Sequence, residues 1–232
     1  MMHNTQKQLL FASILLTSSA HSAEWHIIQH APLRSAPVMT QNNSLDAKQA
    51  INGISVDLSN DDVVNSVQNT LLGLSSITMT QSGADGNGSV QAVNLMEGRS
   101  IQNALQATTG FSSVTMTQGA DLGASNTQAL NYAKADQSIE NLAQSSVGVR
   151  WNASPESAGS IQALNYAEAD RYNGPIVQGA ALWRLNADLS VGEVRVNSIQ
   201  GNIDSAFLVQ EAIIKRVTTH GRGVLTLNHI AP

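Results

Sequence analysis

Gln128-Ala-Leu-Asn131-Tyr132 and Gln162-Ala-Leu-Asn165-Tyr166 state one phrase twice, and weaker copies flank them on both sides. Upstream stand Gln49-Ala-Ile-Asn52 and Gln91-Ala-Val-Asn94; downstream stand Val194-Arg-Val-Asn197 and Leu225-Thr-Leu-Asn228. The asparagines fall 42, 37, 34, 32 and 31 residues apart. A unit recurring at such intervals marks an array whose copies each pack on their neighbours. Strict alternation within the phrase puts Ala and Asn on one face and Gln, Leu and Tyr on the other.

Two further segments keep step with the first. One ends in glutamine, at Gln68, Gln106, Gln144, Gln178 and Gln210, with spacings of 38, 38, 34 and 32. The other is Ser75-Ser-Ile-Thr-Met-Thr-Gln81 and Ser112-Ser-Val-Thr-Met-Thr-Gln118, preceded by a partial copy at Val38-Met-Thr-Gln41. Its weaker copies are read at Ser145-Ser-Val-Gly-Val-Arg-Trp151, Ala181-Leu-Trp-Arg-Leu185 and Ile213-Ile-Lys-Arg-Val217. Apolar residues alternate with Thr in these segments, the period of a half-buried strand. Ile77, Met79, Val114 and Met116 are therefore expected to pack against Val93, Leu130 and Leu164. Turn-rich stretches separate the two strands at 82–89, 119–125 and 153–159, where Gly, Asp, Asn and Pro reverse the chain.

Charged residues make up only 12% of the chain and aromatics 4%, while Gln and Asn number 38 of 232. Such a composition fills a wide globular core poorly, but its amides hydrogen-bond to copies of themselves when strands stack. The reading is all-β: a repeat-built β-solenoid or cross-β stack of about five to six imperfect copies, 31–42 residues long. A soluble sandwich and a barrel are the alternatives; three Trp, three Tyr and three Phe are too few for the aromatic girdles of a membrane barrel. The ladder positions expected from this reading are Gln91, Gln128 and Gln162; Asn52, Asn94, Asn131, Asn165, Asn197 and Asn228; and Gln68, Gln106, Gln144, Gln178 and Gln210.

Residues 1–23 read as a secretory signal peptide, with a polar start carrying Lys7 and a short apolar run, LLFASILL, at 9–16. Residues 24–36 read as a flexible lead-in, and 37–232 as the β-repeat domain with degenerate C-terminal copies. The chain after residue 23 has 11 basic and 17 acidic residues and no cysteine, and no apolar run long enough to be a transmembrane helix. An acidic balance opposes nucleic-acid binding. The expected location is extracellular or at the cell surface, with the periplasm as the alternative.

These residues resemble bacterial functional amyloid subunits, the curlin-like and Fap-like fibre proteins. The curlin opening, Ser and Gln with five residues between them, is matched by Ser75–Gln81 and Ser112–Gln118. The continuation departs from it: Gly86 and Gly123 stand where the family has Asn, and Gln91 and Gln128 come one residue early. The resemblance implies a secreted subunit that polymerises by stacking strands. Its partners would be itself or a related fibre subunit, with an outer-membrane secretion pore or a nucleator as further candidates. Arg184, Arg195, Lys215 and Arg216 in the last copies read as charges that cap the stack.

No catalytic pattern, phosphate loop or dinucleotide fingerprint occurs, so no enzyme and no cofactor are expected. His26 and His30 stand four apart without an acidic partner, and no metal site is expected. Asp85-Gly-Asn-Gly reads as a turn and not a calcium loop. The pairs Thr78-x-Thr80 and Thr115-x-Thr117 read as β-favouring residues on a solvent face. The rival function is a monomeric β-repeat adhesin that binds sugar or a host surface.

Overall fold

The computed structural model describes residues 23–42, 46–83, 88–119, 125–189, 191–204 and 207–231. The expected signal peptide, apart from its last residue, and the glycines at 86 and 123 lie outside them. Thirteen strands form one unclosed sheet in which every pairing is parallel, and the described residues contain no helix. The chain winds as a β-solenoid.

Strands β8 (Val90–Gln118), β9 (Thr127–Pro155) and β10 (Ile161–Leu189) each have 29 residues and lie on one another almost throughout. Toward the N-terminus the same path is split among β1 (Glu24–Trp25), β2 (Ile28–Pro32), β3 (Val38–Asn42), β4 (Lys48–Ser55), β5 (Asp62–Val64), β6 (Val67–Leu71) and β7 (Ser76–Ser82). Toward the C-terminus it is split among β11 (Glu193–Ile203), β12 (Leu208–Gly221) and β13 (Val224–Ala231).

Each turn has a base and an arch. The base holds the Gln-Ala-x-Asn phrase, at 90–97 in β8 and in all of β4 and β13. The arch returns over it through 100–102, 105–109 and 113–118 of β8 and the strands stacked on them. One arch corner is built by Asn65, Asn103 and Asn141 at φ of 49°, 53° and 55°, with Gly174 at 69° one turn on. Asn tolerates this left-handed region because its short amide bonds locally. Here the three amides bond to one another, Asn103 Nδ2 to Asn65 Oδ1 (3.0 Å) and Asn141 Nδ2 to Asn103 Oδ1 (2.8 Å).

Ile77, Met79, Val114 and Met116 share one buried cluster with Val93, Leu130 and Leu164, between arch and base. A second cluster, including Ile54, Met96, Ile101, Ile139 and Tyr172, fills the other end of the turn.

Three expectations are corrected. Residues 24–36 are not a flexible lead-in: β1 pairs with β5 and β2 with β6, because Gln29 and its neighbours fit the glutamine row. Strict alternation fails within the phrase. Leu130 and Asn131 both turn inward, and Ala129 and Tyr132 share the cluster on the base's outer face. The kink lets the base serve the apolar core with one residue and the amide row with the next. Third, Ser145-Ser-Val147 is not the partner of Ser112-Ser-Val114. Ser145 and Ser146 lie on Ala107 and Thr108, and the true partners of Ser113, Val114, Met116 and Gln118 are Arg150, Trp151, Ala153 and Pro155.

Candidate functional site

The kinked base and the arch face each other across rows of amides that run the length of the spiral. In the asparagine row, Asn52, Asn94, Asn131, Asn165 and Asn197 each donate through Nδ2 to Oδ1 of the next, ending on Asn228, at 2.9, 2.8, 2.8, 2.8 and 3.0 Å. Asn94, Asn131, Asn165 and Asn197 have no solvent exposure. The arch completes each amide: Asn94 Nδ2 also donates to Ala107 O (2.9 Å), and the Thr70 hydroxyl donates to Asn94 Oδ1 (2.8 Å). Thr108 and Ser146 serve Asn131 and Asn165 in the same way. A buried amide is tolerable only when its donors and acceptor are met, and here each is met by a copy of itself and by the opposite wall.

The glutamine row runs the other way. Gln68, Gln106, Gln144, Gln178 and Gln210 each donate through Nε2 to the Oε1 of the residue one turn earlier, beginning on Gln29, at 2.7–2.8 Å. Their second N–H reaches a base carbonyl: Leu95, Tyr132, Tyr166, Ser198 and His229, at 2.7–3.2 Å. A third row joins Gln49, Gln91, Gln128 and Gln162 at 2.8–2.9 Å. The structure thus brings all the sequence-selected amides into rows within one chain.

Sequence reasoning missed Gln29, the first member of the long glutamine row, and a fourth row, Gln41–Gln81–Gln118 (2.8 and 2.9 Å). The signal was present, since Gln29 precedes Gln68 by 39 residues and Gln41, Gln81 and Gln118 are 40 and 37 apart. The fourth row stops at Pro155, and Gln118 Oε1 is buried without a partner among the described residues.

The outer face of the base differs in chemistry. The Tyr132 and Tyr166 rings stack with centroids 5.2 Å apart, and the Tyr166 hydroxyl donates to Glu168 (2.8 Å). Burial, then the Glu168 charge, raises the Tyr166 phenol above its ordinary range, so it remains a donor. Charges here pair with their opposites along the axis, Lys48 with Glu97 (2.5 Å) and Lys134 with Glu168 (2.8 Å). Arg195, read as a cap, pairs with Glu193 at 2.5 Å.

His30 lies in β2 beside Asn69, His220 in β12 and His229 in β13. Among the described residues no group of three His, Cys, Asp or Glu side chains is placed to hold a metal. Compared with known proteins, the chain matches no family model, no curated protein and no solved structure.

Proposed function

We propose that this protein is a secreted structural subunit of extracellular fibres or of a biofilm matrix, adding end to end by continuation of its own spiral. The observation that supports the reading is the match between the two ends. At the N-terminal end β1, β2 and β3 open the arch, and β4 opens the base. At the C-terminal end the last arch strand is β12 and the last base strand is β13. The first paired strands lie on the arch and the last on the base, so the strands of a second copy would continue the path from β13.

In that arrangement Gln29 of the incoming copy falls on Gln210, and Asn52 falls on Asn228. Both contacts pair a donor with an acceptor, because the asparagine row points its N–H groups toward the C-terminus and the glutamine row toward the N-terminus. Gln29 already spends one N–H on Gly53 O (3.1 Å), the counterpart of the Gln68 bond to Leu95 O. Its other N–H is the one that every later glutamine gives to the row. Each added copy would gain a turn of backbone pairing and lengthen both rows.

The test is seeded growth of the chain, followed by thioflavin fluorescence and fibre diffraction. Growth with a meridional spacing of about 4.7–4.8 Å is expected. Gln29→Glu with Asn228→Asp keeps the acceptors that Gln68 and Asn197 use and removes the donors facing the joint. Elongation should slow by about tenfold or more, with β circular dichroism retained. Undiminished elongation would sink the joint, and a β-rich monomer that never seeds would favour the adhesin.

A further inference from the structure

The outer wall of the arch carries a row that the corrected register reveals. Ser76, Ser113, Arg150, Arg184 and Arg216 lie on one another, strand by strand. Parallel strands are about 4.8 Å apart, so three guanidinium side chains rise from neighbouring points on one line. Arg150 and Arg216 are exposed and Arg184 half-buried. None of the three is in an ion pair among the described residues, whereas Lys48, Arg99, Lys134 and Arg195 each have one. Like charges in register repel and weaken strand pairing. An anion lying along the row removes that repulsion.

Beside the arginines runs an open groove lined by Thr115, Thr117, Asn152, Asn186, Asp188 and His220. It follows the axis, since Thr115, Asn152 and Asn186 are stacked, Thr117 lies on Ser154, and Asp188 lies on His220. Asn186 Nδ2 donates to Asn152 Oδ1 (2.9 Å) and Asn152 Nδ2 to Thr115 Oγ1 (3.4 Å), and all three side chains are half-buried. Hydroxyls, amides and one carboxylate are readers of sugar hydroxyls; none of them stacks a base. On the other flank Trp183 is 49% exposed, with Lys215 Nζ 3.6 Å from its ring centroid.

We infer that this wall binds an extended acidic polysaccharide, laid parallel to the axis with carboxylates on Arg150, Arg184 and Arg216 and hydroxyls in the groove. A chain with a carboxylate on each sugar presents charge on the scale of the strand spacing. Planar guanidinium forks suit planar carboxylates. A nucleic acid fits less well: single-strand binding relies on a row of stacking platforms, whereas Lys215 covers the Trp183 ring and His220 is the one aromatic side chain lining the groove. The site lies on the side of the spiral and does not rest on end-to-end assembly.

The test is titration of the monomeric full chain with oligogalacturonate, read by tryptophan fluorescence, for which Trp183 is the exposed reporter. Binding that weakens with salt is expected, with none to neutral dextran. R150Q/R184Q/R216Q should weaken it by about tenfold or more, with unchanged circular dichroism. R34Q/K134Q/R171Q removes the same charge elsewhere and should leave binding within about twofold. No binding to oligogalacturonate, equal losses in the two triple variants, or tighter binding of oligo(dT) would each overturn the assignment. Because only monomer is used, failure here leaves the fibre reading standing.

Discussion

The asparagine row holds one residue type from Asn52 to Asn228, whereas the apolar row Ile77–Val114–Trp151–Leu185–Val217, in the same turns, changes residue at every step. Both rows run through the interior at the same strand spacing and reach the surface at Val217 and Asn228 in the last turn. The difference lies in what each contact demands. A hydrogen bond needs a donor at one point and an acceptor at another, so any change of residue leaves a partner orphaned. Dispersion contacts ask only that volume be filled, and stacked neighbours can trade it. Phe111 and Gly148 show the trade: a Cβ on Gly148 would sit 2.1–2.5 Å from the Phe111 ring, so the large ring uses the space that glycine leaves.

The sharpest way to break the comparison is to make one change of similar volume in each row. Asn131→Leu removes the acceptor that Asn94 Nδ2 and the Thr108 hydroxyl share, and removes the donor to Asn165. The expected loss is about 3–5 kcal/mol, several buried groups at once. Leu130→Met, one residue away in the apolar core, should cost less than about 1.5 kcal/mol. Urea denaturation of the monomers measures both. Similar losses would show that the amide row is packed, not bonded, and would remove its claim to direct stacking.

A smaller effect tests the apolar side. Gly148→Ala should cost about 1–3 kcal/mol by overpacking against Phe111. Phe111→Leu in the same chain should return part of that cost. A double-mutant cycle reads the coupling directly. Independent, additive losses would mean that the ring moves aside and that volume is not shared between these stacked partners.

This contrast also explains what was legible in the sequence. Amide rows announce themselves, because bonding forces identity, and Gln106, Gln144 and Asn131 stand at intervals that can be counted. Apolar rows give no such mark, and the eye then aligns whatever repeats. Ser112-Ser-Val114 and Ser145-Ser-Val147 look alike, yet the second pair of serines belongs one segment earlier in the turn. The true register is set by the Asn103–Asn141 corner, with Gly110 absorbed as an extra residue between Thr109 and Phe111. The misread register hid the arginine row, since Arg150 aligned with Thr117 instead of Ser113. It also hid the kink at Leu130–Asn131, which period-2 alternation forbids and the backbone supplies.

The fourth glutamine row offers the finest test, because it breaks off within the spiral. Gln81 donates to Gln41 and Gln118 to Gln81, but the next position is Pro155, and Gln118 Oε1 is left buried without a donor among the described residues. Pro155→Gln puts an Nε2 where the row's direction requires one, pointing toward the N-terminus. If identity in a row is worth what bonding says, the variant gains about 1 kcal/mol, less the entropy that proline withheld from the unfolded chain. Pro155→Leu loses the same proline and gains no donor, so the difference between the two isolates the bond. Thermal melts of the two variants measure it. A glutamine variant no more stable than the leucine one would mean that these rows tolerate an unmet acceptor, and that identity in the asparagine row has some other cause.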